Sequence, residues 1–313
     1  MNPTERVRLG RTDLEVTRLG LGTAPLGGLY REVPDAQGAA LLEHAWAAGL
    51  RFYDTAPHYG LGLAERRVGA ALRERPRDEV VIATKVGRLI RGDPPAGVFD
   101  FSAEGAATSL EESLERMGLD RVDVLHVHDP DDHGDEAVAG AFPALDRLRR
   151  EGRIRAVGSG MNQTEMLSRF ARGVPLDCLL LAGRFTLLDQ SGLDELLPLC
   201  LERGIAVIVG GAFNSGILAD PRPGAPYNYR PAAPELVERA QALRAACERH
   251  DVPLAAAAIQ FPFRHPAIAT VVIGARSAEE LEEDLRLFRW EIPDALWADL
   301  RAGGLIRDPA ADR

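Results

Sequence analysis

The chain has 313 residues and a mass of 33.9 kDa, room for one large α/β domain or two ordinary ones. It is 46% hydrophobic and 27% charged with a formal net charge of −10, a globular balance that disfavours nucleic acid or an anionic membrane as a partner. Cys178, Cys200 and Cys247 lack metal-ligand spacing and read as reduced buried thiols, and no run is apolar enough for a leader or a bilayer span, so a cytoplasmic protein is expected.

In chain order, residues 7–9 and 14–17 bracket Gly-Arg-Thr-Asp and predict a small hairpin. Short β-branched runs follow at 19–23, 51–55, 80–85, 122–128, 154–159, 178–182, 206–209 and 270–273. Amphipathic stretches lie between them, at 36–48, 63–75, 103–117, 136–151, 164–171, 193–203 and 234–250, and a last helix is expected over 294–302. Strand-plus-helix units at this spacing fit parallel βα repeats, and eight of them make the size of a (β/α)8 TIM barrel. A doubly wound open sheet is the alternative, but no Gly-x-Gly-x-x-Gly follows the first run. Without a linker or composition break, a single domain over residues 1–313 is expected. Two long loops rich in Pro and Gly, 87–101 and 214–233, follow strands and would rise over the C-terminal mouth, where barrel sites lie.

Of 37 basic side chains only Lys85 is lysine, and it sits in the apolar run Val-Val-Ile-Ala-Thr-Lys-Val-Gly. An ammonium is compact and its pKa responds to burial, whereas guanidinium stays charged. Lys85 is therefore either a lone cation snorkelling from an edge strand or a charge placed to act on a neighbour. Period-two alternation puts Phe52 with Asp54, Ala83 with Lys85, and His126 with His128 on common faces. If those faces point inward, Asp54, Lys85, His128 and the turn residue Tyr59 converge at one rim. Free tyrosine, with a pKa of about 10, is a poor base near neutrality. A neighbouring ammonium favours its phenolate, a carboxylate offsets the burial of that ammonium, and an imidazole can orient a substrate oxygen. Singly, each has a structural alternative: Asp54 as a cap, Tyr59 as a turn aromatic, His128 as a core histidine. His126-x-His128 also admits a metal reading, although the following Asp129, Asp131 and Asp132 belong to a loop and lack ligand spacing.

Leu-Gly-Leu-Gly-Thr-Ala-Pro-Leu-Gly-Gly, Asp54-Thr-Ala-Pro-His-Tyr59-Gly, Thr-Lys85-Val-Gly, Gly-Arg-Ile-Arg-Ala-Val-Gly and Val-Ile-Gly-Ala-Arg-Ser together resemble the aldo-keto reductase family along essentially the whole chain. The resemblance implies a barrel that binds NAD(P)H across its C-terminal face, with a catalytic tetrad at Asp54, Tyr59, Lys85 and His128; His126 is outside it. It also implies cofactor contacts from Thr23, Asn162, Ala212, Phe213, Asn214, Gly216, Gly274, Arg276 and Asp284, with Asn162 on the nicotinamide amide and the 212–216 backbone around the pyrophosphate. Three positions depart from the family pattern. Ala182 stands where an amide-binding Gln is usual, Gly210 where an aromatic stacks under nicotinamide, and Glu280 where an Arg clamps a 2′-phosphate.

The third departure predicts NAD over NADP, with Arg276 as the residue that argues the other way; Phe213 is a candidate replacement for the missing aromatic. Thr-Ala-Pro-Leu-Gly-Gly-Leu-Tyr, Ala-Gly-Arg-Phe-Thr-Leu-Leu and Gly-Gly-Ala-Phe-Asn-Ser-Gly-Ile-Leu are similar to the branch that oxidises D-threo-aldoses or L-fucose at the anomeric carbon to a lactone, to which pyridoxal dehydrogenases are similar. The expected partner is thus a small-molecule aldose, carbonyl or hemiacetal, its fit set by Leu29, Tyr30 and the loops 87–101 and 227–229. An NADPH-dependent aldehyde or ketone reductase and a cofactor-binding regulatory subunit remain as alternatives.

Overall fold

The computed structural model describes residues 1–29 and 31–307; Tyr30, named above for the mouth, lies outside the described residues. Eight strands form a closed parallel barrel: β1 Leu19–Gly22, β2 Phe52–Asp54, β3 Val81–Val86, β4 Val124–His128, β5 Ala156–Met161, β6 Cys178–Ala182, β7 Ala206–Gly210 and β8 Ile268–Ile273. Neighbours around the barrel are neighbours in sequence, and β8 closes onto β1 through Val271 opposite Leu19 and Ile273 opposite Leu21. Every strand is buried over most of its length, because helices cover the outer face and side chains fill the inner one. Leu21, Tyr53, Ile82, Leu125, Leu179 and Val209 pack outward against helices, while Phe52, Val81, Ala83, Val124, Ala156, Cys178, Leu180, Ile208 and Val272 fill the interior.

Two carboxylates stitch the N-terminal end of the barrel. Asp123 accepts the backbone N–H of Ile82 (2.8 Å), and Asp177 accepts that of Val157 (2.9 Å), so each carboxylate satisfies a donor of the preceding inner strand. Arg77 and Arg149 pair with these carboxylates from outside. The N-terminal hairpin, Arg6–Arg8 with Glu15–Thr17, closes this end by inserting Leu9, Leu14 and Val16 into the interior cluster. Gly10, at φ +59°, lies so close that a Cβ there would meet Asp177 O at 2.7 Å.

The structure refines the expected elements. The helix expected over 136–151 is two, Gly134–Ala139 and Ala141–Arg150. They break at Gly140, where a Cβ would sit 2.6 Å from Phe101 O. A further helix, Leu254–Gln260, is buried almost all round and so carries no amphipathic period to reveal it. The 87–101 loop is a hairpin, Arg88–Arg91 paired with Ala96–Phe99, and the 214–233 loop contains the short pair Pro226–Tyr227 with Arg230–Pro231. Among the described residues no helix is long and apolar enough to cross a membrane.

Candidate active site at the C-terminal mouth

Alternation along the strands brings Asp54, Lys85 and His128 to the same inner rim. Asp54 is the last residue of β2 and His128 the last of β4; Lys85 lies on β3 between them, opposite His126 in the ladder. Lys85 does not snorkel. It is 1% exposed, and its Nζ donates to Asp54 Oδ1 (2.9 Å), Asp54 Oδ2 (2.8 Å) and Thr55 O (2.7 Å). Asp54 and the Thr55 carbonyl anchor the ammonium, and the Tyr59 phenol is a further hydrogen-bond partner. Burial pulls the Lys85 pKa down, but Asp54 and then Tyr59 outweigh it and hold the amine protonated above its ordinary range.

Tyr59 comes from the loop after β2, with its ring centroid 4.7 Å from Lys85 Nζ. Burial pushes its phenol up to about 12; Lys85 lowers it, while Asp54 and Asp129 raise it. The direction expected for Lys85 is present, but in the protein alone desolvation is larger, because Asp54 takes up much of the ammonium's field. His128 stands edge-on to Tyr59, ring centroids 5.9 Å apart at 89°. Burial pulls its pKa well below 6.5, and Lys85, Arg88 and His58 add to this, so the imidazole is neutral.

His126 points into the interior one layer lower. Neither ring nitrogen has a partner, and its pKa falls to about 3, chiefly through burial. A Cβ at Gly158 would come within 2.3 Å of its Nδ1, so His126 fills space that a glycine leaves. Among the described residues no group of three or more His, Cys, Asp or Glu is placed to hold a metal ion.

Small residues share the rim with the polar ones. Gly22 pairs with Asp54 and Gly160 with His128, and farther round the rim Ala182 pairs with Gly210 across β6 and β7. Packing does not demand glycine at 210 or 22, since an added Cβ would make only ordinary contacts, 3.4 Å at the nearest. Asn162 is half-buried immediately beyond β5. The loop after β7 turns through three successive left-handed residues, Asn214 (φ +46°), Ser215 (φ +61°) and Gly216 (φ +110°). The Asn214 side chain is committed inward, accepting from Thr186 Oγ1 (2.5 Å) and donating to Gly183 O (3.2 Å). Ala212 is buried beside it, and Phe213 packs half-buried on the core.

Other cofactor residues implied by the resemblance are occupied by contacts within the protein. Thr23 is fully buried, and both its N–H (2.9 Å) and its hydroxyl (3.0 Å) donate to Asp54 O. Gly274 is glycine because a Cβ would meet the Pro25 ring at 2.8 Å. Ser277 caps the helix Ala278–Phe288 by accepting from Glu280 N–H. Glu280 engages Arg276 twice, accepting its backbone N–H (2.8 Å) and pairing with its guanidinium (2.9 Å), and also lies 3.7 Å from Arg31. One turn on, Asp284 is raised to about 7 by burial and by Glu280 and Glu283.

Spacing gave no sign of three further groups at the mouth. Thr55 supplies a carbonyl to Lys85. His58 lies 6.3 Å from His128, ring to ring. Asp129, read above as loop chemistry, is 3.5 Å from His128 Nε2 and bonded to Arg88.

A closed (β/α)8 barrel thus carries at its mouth a buried ammonium–carboxylate pair, a phenol and an imidazole, the groups of an acid–base site. Comparison with known proteins gives the family: residues 18–303 match the family model described as "Aldo/keto reductase family", and the chain belongs to it. It is an NAD(P)-dependent oxidoreductase. It is similar to a D-threo-aldose 1-dehydrogenase of a Pseudomonas species, 43% identical with 95% of this chain and 96% of that one covered. It is also similar to a pyridoxal 4-dehydrogenase of Microbacterium luteolum, 42% identical over 98% and 99% of the two chains. Among solved structures, the holo form of an aldo-keto reductase from Bacillus halodurans superposes with a TM-score of 0.82 at 26% identity, covering 97% of each chain.

Proposed function

We propose that the protein oxidises an aldose of the D-threo or L-fucose type at its anomeric carbon to a lactone, with NAD as the hydride acceptor. The observation that carries this reading is the buried Lys85 ammonium, anchored by Asp54 and Thr55 beside the Tyr59 phenol. It is an arrangement for moving a proton at the phenol oxygen. Tyr59 takes the proton of the anomeric hydroxyl, Lys85 stabilises the phenolate that precedes this, and Asp54 keeps Lys85 charged and in place. His128, neutral, donates a hydrogen bond to the same substrate oxygen. Gly22, Gly160, Ala182 and Gly210, with Asn162, would hold NAD at the rim, where the cofactor would accept the hydride leaving the anomeric carbon. The polar residues about the mouth, Arg88, Asp129 and His58, suit a polyhydroxylated substrate better than an aromatic aldehyde.

NAD is preferred over NADP because Glu280 both places a carboxylate at the rim and occupies Arg276, the cation otherwise available to a 2′-phosphate. Pyridoxal, as its hemiacetal, is the second substrate reading, supported by the 42% identity to a pyridoxal 4-dehydrogenase. A panel of aldoses and pyridoxal, assayed with NAD and with NADP, tests both readings; turnover of neither class overturns the proposal. Tyr59→Phe should lower kcat about 10²–10⁴-fold, the range of general acid–base catalysis. Cofactor affinity, followed by fluorescence titration, should be unchanged.

A further inference from the structure

We infer that Asp129, clamped by Arg88, is a positioning residue that holds His128 as its Nε2–H tautomer and aims that N–H at the reacting oxygen. The inference rests on the role proposed above for His128. The ring has two nitrogens in unlike surroundings. Nδ1 is buried with no hydrogen-bond partner, so nothing there rewards a proton. Nε2 faces Asp129 Oδ2 at 3.5 Å. A carboxylate at that distance favours the proton on Nε2, yet the contact is too long to be a hydrogen bond that consumes it. The N–H therefore stays available to a substrate oxygen.

Asp129 is itself held by two independent constraints. Arg88 Nη2, at the start of the hairpin over the mouth, donates to the same Oδ2 at 2.8 Å, and its guanidinium lies 5.1 Å from the Phe99 ring centroid on the returning strand. The backbone of Asp129 is left-handed at φ +41°, unfavourable for a residue with a side chain, while its N–H still donates to Gly160 O at 3.0 Å in the barrel ladder. The chain thus stays in register up to Asp129 and turns there. Strain at such a point persists only where surrounding contacts over-determine it, and here those contacts place one oxygen beside the His128 ring. The other charged or titratable groups acting on this carboxylate, Asp131 and Lys85, do not share its hydrogen bond to Arg88.

The tautomer can be read directly. In protein labelled with ¹⁵N-histidine, long-range ¹H–¹⁵N correlation, assigned with His128→Asn, should show a protonated Nε2 and a bare Nδ1. Asp129→Asn is the informative variant, since Asn tolerates the left-handed backbone and removes only the charge. It should shift His128 toward a tautomer mixture and lower kcat on an aldose about 10²-fold, the scale of a misplaced catalytic group, with NAD affinity unchanged. A protonated Nδ1 in the unaltered protein overturns the inference. So does an Asp129→Asn protein with the original tautomer and full kcat. If no aldose is oxidised at all, the substrate reading fails, while the tautomer measurement still decides the role of Asp129.

Discussion

Lys85 is buried to 1% exposure yet remains an ammonium because Asp54 and the Thr55 carbonyl together satisfy it. Removing one partner of such a pair typically costs about 3–5 kcal/mol, since it strands the other charge. Lys85→Met should therefore act twice. The melting temperature should fall, and the alkaline rise in oxidation rate should move to higher pH. The sign follows from the phenol. Oxidation needs Tyr59 deprotonated, burial holds Tyr59 near 12, and Lys85 is the group that lowers it, so losing Lys85 raises that pKa further. A pH–kcat profile that stays in place would show that Lys85 does not act on the phenol.

Individual elements owe their positions to close approaches that composition alone does not reveal. On β5, Gly158 exists because His126 from β4 occupies the volume of its missing Cβ. Gly158→Ala should cost about 1–3 kcal/mol of overpacking, read by urea unfolding. The loss should shrink when His126→Ala is combined with it, because the two share one space. The helix Ala278–Phe288 opens with Ser277 as cap and two acidic residues in its first turn, favourable for the helix dipole and unfavourable for an added phosphate. Glu280→Gln frees Arg276. It should raise kcat/KM with NADP about tenfold, equivalent to roughly 1.4 kcal/mol, and leave NAD kinetics nearly unchanged. An unaltered NADP/NAD ratio would remove Glu280 from cofactor choice.

On the scale of the whole molecule, the two ends of the barrel carry different tasks. The N-terminal end is closed by Leu9, Leu14 and Val16 of the hairpin, and the site lies at the other end. Leu14→Ala should cost about 2–5 kcal/mol in a tightly packed core and leave kcat and KM of the folded protein unchanged; altered KM at full folding would mean that the two ends are coupled. The strand alternation, and with it the barrel and the convergence of Asp54, Lys85 and His128, is readable from the chain itself. Periods of two and 3.6 are local properties, and in a closed parallel barrel every inward residue at a strand's C-terminal end reaches the same rim. The break at Gly140, the buried helix Leu254–Gln260, the commitment of Asn214 and Thr23 to their neighbours, and the facing of Asp129 to His128 were decided only by tertiary packing. Each depends on which distant backbone or side chain fills the adjoining space, and no spacing along the chain encodes that distance.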